Sequence, residues 1–403
     1  MRTTILLVLI SASFAVPTMA ANLPAPRSDD LVATRTVALP APGGQIERKP
    51  VSFSWALDPS AAVTTAAPFT SESREYWMQV DATQMRSGID IDTTAPGAVI
   101  RLSPIGKALP VNAQRLSVSS HGRTIDADET FAHVAGAAQL QQAGMDVSNG
   151  TAIVQLDKGL GQGRFRLQLS DANGAYLMHV FEPDSPYTLH ASADRANLLA
   201  GGQFTVNAVL GKGSMGLAGS EMAGLLVSPS GKSYDLNFSP GQGGAQRALA
   251  RVPIDAQSQT GLWEVQVFAG ASENGVRIQR DSRTAIAVAQ PTAKLGGSYR
   301  FDAASLSFST PIVVGSPGRY ELRATLFATG TDGIARPVSE AHSAAWFDAG
   351  ARSLGLQFDR THLPAGYGAP FEVRYLELKD QGRMGALESR ELAARSGNLS
   401  GGT

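Results

Sequence analysis

The chain has 403 residues, 34 basic against 35 acidic for a net charge of −1, 42 glycines, 22 prolines and no cysteine. With charge balanced and no cluster of Lys or Arg, the footprint for holding a phosphate backbone is missing, so nucleic acid is excluded as an expected partner. The missing thiols exclude disulfides, thiol nucleophiles, lipid attachment at an N-terminal cysteine, and zinc or iron–sulfur sites built on thiolates.

Met1 and Arg2 precede an apolar stretch from Ile5 to Val16, and Pro17-Thr18-Met19-Ala20-Ala21 follows with small residues at the positions a signal peptidase reads. This pattern predicts a secretory signal over residues 1–20 and a mature chain starting near Ala21. The apolar run stops short of the ~20 residues a spanning helix needs, so no membrane span is expected. The expected location is therefore outside the cytoplasm, in the periplasm or beyond the cell. Residues 21–44, rich in Ala and Pro, read as an extended leader. Val51-Ser52-Phe53-Ser54-Trp55-Ala56-Leu57 reads as a strand, separated from the main body by an irregular stretch from Pro59 to Ser73.

The rest alternates with period two between Gly, Pro, Asn and Asp punctuation, which is the pattern of strands. An N-terminal module over 45–186 has strands predicted at 76–80, 98–102, 115–119, 152–156, 163–169 and 176–181. Asp171-Ala172-Asn173-Gly174 predicts a hairpin turn between its last two strands. Apolar spacing over 128–143 predicts one helix, the only one in the chain. A second module over 187–290 has strands at 203–210, 222–228, 233–238, 246–252, 262–269 and 284–289, with a turn at Pro229-Ser230-Gly231-Lys232. The third, over 291–397, has strands at 304–309, 318–328, 343–347, 353–358 and 371–378. About six short strands per ~100 residues predicts an all-β chain of three tandem β-sandwich modules.

One local form recurs at Gly163-Arg164-Phe165-Arg166-Leu167, Gly261-Leu262-Trp263-Glu264-Val265 and Gly318-Arg319-Tyr320-Glu321-Leu322. Alternation puts the aromatic and aliphatic residues on one face, so this is a rule for a strand with one dry side and not a binding motif. The second module resembles bacterial immunoglobulin-like domains, on its Pro229-Ser230-Gly231 turn and its late Gly261-x-Trp263 strand. The third is similar to another, on Gly318 to Leu322 and on Gly366-Tyr367-Gly368-Ala369-Pro370-Phe371. As a whole the chain resembles an uncharacterised family of gammaproteobacterial exported proteins, a domain of unknown function. The resemblance implies compartment and architecture and carries no active-site residues.

The six histidines are scattered without metal-ligand spacing, and Gly213-Ser214-Met215-Gly216 lacks the spacing of a nucleophile elbow. Asp90, Asp92, Asp126 and Asp128 are the candidates for a hard cation, against the simpler readings of an outward strand face and a helix N-terminus. Tyr76 and Trp77 are the candidate ligand-binding pair, because alternation sends one ring inward and the other out, for a sugar ring or a module contact. Trp55, Trp263 and Trp346 are expected in cores. No catalytic residue and no cofactor are expected. The resulting expectation is a monomeric, non-catalytic exported binding or structural protein of the cell envelope or secretome, with a protein or glycan as partner. The alternative is a secreted hydrolase with its active site in the N-terminal module.

Overall fold

The structure, a computed structural model, describes residues 20–63, 67–213, 215–254 and 261–396. All but Ala20 of the expected signal lies outside the described residues, as does Ser214. The chain is 56% strand and 7% helix, and the strands of the described residues form six antiparallel sheets. Among the described residues no helix is long and apolar enough to cross a membrane, a statement that bears on helices alone. The chain divides into two compact units, residues 66–288 and residues 1–65 together with 289–403.

Unit 66–288 contains two sandwiches. In the first, a five-stranded sheet ordered Glu75–Asp81, Ala175–Phe181, Val99–Ile105, Ala152–Leu156, Phe131–Gly136 faces a four-stranded sheet ordered Ile89–Thr93, Gly163–Leu169, Leu116–Ser120, Arg123–Thr124. Tyr76, Ile100, Leu102, Val154, Tyr176 and Val180 from one sheet meet Ile91, Val118, Phe165, Leu167 and Leu169 from the other in a single core. The alternation along Gly163–Leu169 produces this directly, since Phe165, Leu167 and Leu169 are buried while Arg164, Arg166 and Gln168 are exposed. Asn173-Gly174 does turn the chain, with Gly174 at a φ of 91°, but the expected hairpin is absent. The strands on either side of it belong to opposite sheets, so the turn crosses the sandwich.

The single helix expected over 128–143 is also replaced. A helical turn at Ala127–Thr130 leads into the strand Phe131–Gly136, and a short helix follows at Ala137–Gln142. The apolar spacing suits both periods, and pairing of Phe131–Gly136 with Ala152–Leu156 decides for strand. Gly136 ends it, and its N–H donates to the Gln139 side chain to start the helix.

The middle sandwich pairs a sheet ordered Ser239–Pro240, Ala245–Arg251, Gln203–Lys212, Tyr187–Ala193, Thr70–Ser73 with one ordered Asn197–Leu199, Val276–Ala289, Trp263–Glu273, Glu221–Val227, Ser233–Leu236. Phe204, Val206, Leu210, Trp263, Val265 and Val267 fill its core. The turn at Pro229 to Lys232 closes a hairpin as the sequence predicts, with Gly231 at a φ of 84°. Thr70–Ser73 pairs with Tyr187–Ala193, so a segment read as a separator supplies an edge strand to the middle sandwich.

The other unit holds the C-terminal sandwich. One sheet runs Ala21–Asn22, Ser298–Asp302, Ser307–Val314, Ala293–Leu295, with Gly350–Gln357 also beside Ser307–Val314. The facing sheet runs Val51–Ala56, Ala335–Phe347, Gly318–Thr329, Gly368–Asp380, Gly385–Arg395. The strand at Val51 to Ala56 was expected within module 45–186, yet its partner is Ala335–Phe347. The leader is fastened to the same sandwich. Ser389 N–H donates to Leu31 O, Val37 N–H to Pro291 O and Leu39 N–H to the Ser316 hydroxyl, while Arg319 donates to the carbonyls of Glu47 and Lys49 and Arg383 to that of Pro40. A Pro-rich segment has few N–H donors of its own, and arginines from the sandwich satisfy its carbonyls instead.

Candidate functional site

Tyr76 points inward and is buried, and burial pushes its hydroxyl far above the ordinary tyrosine range. Trp77 points outward, as alternation requires, but its ring is already occupied. His179 stacks on it at 3.9 Å between centroids, and the guanidiniums of Arg101 and Arg283 lie 4.8 and 5.7 Å from its centre. His179 in turn bonds Glu75 at 2.7 Å, which holds the Glu75 carboxyl below its usual range. Trp77 N–H donates to Asp281 Oδ2 at 2.8 Å, joining the first sandwich to the middle one. Burial pushes the Asp281 carboxyl up to about 6. Behind it, Arg280 and Glu182 form a fully buried ion pair at 2.6 Å, and Arg280 also donates to Thr94 Oγ1, Ser185 Oγ and Tyr187 O. Trp77 therefore works at a junction between sandwiches.

The structure does not bring the four aspartates together. Asp92 accepts from Arg164 at 2.9 Å and Asp90 from Arg166 at 3.1 Å, both across the pair of strands Ile89–Thr93 and Gly163–Leu169. Asp126 precedes the turn Ala127–Thr130, exposed and making no side-chain cap, and Asp128 lies within that turn. Among the described residues no three His, Asp or Glu side chains group as metal ligands.

Among the described residues, two serine–histidine contacts exist. Ser120 Oγ lies 3.0 Å from His121 Nδ1 at an exposed turn, and Ser339 Oγ lies 3.2 Å from His362 Nδ1. Each hydroxyl already donates to a backbone carbonyl, Ser120 to Arg164 O and Ser339 to Trp55 O. A nucleophile needs that proton directed at the base, so neither pair is arranged for attack.

The site the sequence misses lies on Val51–Ala56. One face carries Val51, Phe53 and Trp55, at 41%, 53% and 39% exposure, and the other carries Ser52, Ser54 and Ala56, of which Ser52 and Ala56 are exposed and Ser54 is partly buried. Trp55 was expected in a core, but a period-two pattern does not say which face is dry. The ring of His342, on the neighbouring strand, lies nearly parallel to those of Phe53 and Trp55, at 5.4 and 5.0 Å. It is fixed there by Glu321 at 2.7 Å and Glu340 at 3.0 Å. Trp346, also expected in a core, is half-buried under the Arg48 guanidinium at 4.3 Å.

Beside this strand runs a shallow groove of about 660 Å³ whose lining runs along Ser52, Phe53 and Ser54 on one side and Ser305 and residues 357–360 on the other. Its walls are held by the protein's own bonds. The Thr361 N–H holds the Asp359 carboxyl below the usual range, Arg360 donates to the carbonyls of Ala303 and Ala304, and Gln357 donates to that of Ser305. Among the described residues, every other strand at a sheet edge is three residues or shorter or carries an ionisable side chain. Short or charged edges are how sheets avoid pairing with other chains. Val51–Ala56 has neither protection.

Residues 42–182 match the N-terminal domain, and residues 292–395 the C-terminal domain, of a domain of unknown function, DUF4785. A DUF4785 family protein from Legionella pneumophila has a similar crystal structure, with a TM-score of 0.73 at 20% identity over 91% of this chain and 99% of that one. At that identity the likeness concerns the fold. Native alpha-2-macroglobulin of E. coli matches at a TM-score of 0.27 and 13% identity, over 75% of this chain and 20% of that one. Latent PorU of Porphyromonas gingivalis matches at 0.18 and 11%, over 76% and 30%. No curated protein sequence matches the chain.

Proposed function

Because the chain carries the N-terminal and C-terminal domains of the DUF4785 family, whose function is unknown, we propose a role from its own surface: a non-catalytic exported binding protein that recognises a macromolecule through Val51–Ala56. The observation that carries this reading is an edge strand exposed along nearly its whole length, with only Ser54 partly buried and with Phe53 and Trp55 at 53% and 39% exposure on one face. Exposed aromatic side chains cost solvation, and an unprotected edge risks aggregation, so a surface with both is explained by a partner that covers it. Support for export is the N-terminal pattern of Arg2, the apolar run and the small residues before Ala21.

The test is an array of peptides and glycans probed with the mature chain and with a Phe53→Ser, Trp55→Ser double variant. The expected result is a binding profile that the double variant loses while its melting curve stays close to wild type. A profile identical in both proteins would place recognition elsewhere.

A further inference from the structure

We propose that the partner is an extended polypeptide segment alternating apolar and small polar residues that binds by adding a strand to the free edge of Val51–Ala56, an inference that rests on reading this strand as the recognition surface. The backbone register carries it. Val51 pairs with Ala344, Phe53 with His342 and Trp55 with Glu340, and the next residue of that series, Leu57, donates its N–H to Val338 O. In an antiparallel ladder, hydrogen-bonded pairs alternate with pairs whose N–H and C=O point away. Val51, Phe53, Trp55 and Leu57 therefore direct their backbone groups to Ala335–Phe347, while Ser52, Ser54 and Ala56 turn theirs outward. Among the described residues no strand pairs with that side. Three donors and three acceptors in one row form a template for strand addition.

The flanks give the segment its pattern. Side chains of an added strand alternate between the two faces. Those on the outer face meet Phe53 and Trp55, which favour apolar or aromatic residues. Those on the other face enter the groove, where Ser52, Ser54 and Gln357 are neutral. Asp359 and Arg360 keep their charges there, Asp359 bonded to the Thr361 N–H and Arg360 to two backbone carbonyls. Such a groove takes small polar side chains that can hydrogen-bond to these groups. The segment thus alternates apolar with Ser, Thr, Asn or Gln.

The test uses a soluble peptide of alternating valine and threonine, with the full mature chain, measured by calorimetry. Two versions carry backbone N-methyl groups, one on each alternating set of residues. Strand addition predicts that one version binds like the parent and the other at least tenfold more weakly, since only one set donates to the edge. Ser54→Pro removes one outward N–H and leaves the inward ladder intact, because proline is tolerated where an edge strand faces solvent. It also removes the Ser54 Oγ that accepts from the Asp359 N–H at 3.3 Å, and it is expected to weaken the parent peptide at least tenfold while the chain stays folded. If Ser54→Pro fails to fold, the two N-methylated peptides still decide the matter on the wild-type chain. Equal binding of both N-methylated peptides overturns strand addition. If Phe53→Ser, Trp55→Ser abolishes that equal binding, the aromatic surface remains the recognition site and the failure is confined to this inference. No binding of the parent peptide at millimolar concentration also overturns it, as does a chain that dimerises through this edge and is made monomeric by Ser54→Pro.

Discussion

Asp281 shows how one residue ties a junction to pH. Burial is the largest influence on its carboxyl and raises it from 3.8 to about 6, against the Trp77 N–H and two arginines that pull it down. A carboxyl raised in the folded state holds its proton more tightly there, so the stability it lends is complete below pH 3.8 and is lost as pH rises to about 6. At neutral pH the buried charge costs up to about 3 kcal/mol. Asp281→Asn keeps an oxygen for the Trp77 N–H and is expected to match wild type near pH 4 and to melt higher at pH 7. A lower melting temperature at pH 7 would mean that the charge is needed by its arginine neighbours. Trp263 is the opposite case, a residue whose place was legible. It is 4% exposed in the middle core and stacks with Tyr234 at 6.0 Å. Trp263→Ala is expected to destabilise the middle sandwich by about 3–5 kcal/mol, read as a shift in denaturation midpoint.

At the scale of elements, alternation carried the reading wherever both faces were declared by the residues themselves. In the three Gly-x-aromatic strands, Phe165, Trp263 and Tyr320 are all buried. The rule failed where the decision was not local. Phe131–Gly136 is a strand because Ala152–Leu156 lies beside it, and the turn at Asn173-Gly174 changes sheets because its flanking strands face each other across a core. The recognition strand escaped for the same reason. Its sequence alternates Val, Phe and Trp with Ser and Ala, which fits a buried aromatic face as well as an exposed one. Only its pairing with a strand far along the chain turns the rings outward. Trp77 was found as an outward ring, but the arginines and histidine that occupy it come from Arg101, His179 and Arg283, far apart in sequence.

For the whole molecule, the largest departure from a row of successive modules is the path of the N-terminal segment. Ala21–Asn22 and Val51–Ala56 supply one strand to each sheet of the C-terminal sandwich, although residues 66–288, which form a unit of their own, intervene in sequence. Composition marks residues 21–44 as proline-rich and extended but says nothing about what such a segment lies on. Removing residues 21–57 is expected to uncover the edge of Ala335–Phe347 and to speed amide exchange in Gly318–Thr329, the strand behind it. Unchanged protection there would mean that the segment is a passenger on the sandwich.

Recognition through Val51–Ala56 requires the outer edge of this strand to be open in the free protein. Native-state hydrogen exchange of the mature chain, resolved residue by residue by NMR, reads this without any ligand. The amides of Phe53, Trp55 and Leu57 are expected to exchange slowly and those of Ser52, Ser54 and Ala56 quickly, alternating along one strand. Equal protection of all six amides would show that the chain covers this edge itself, and the surface proposed for recognition would not exist.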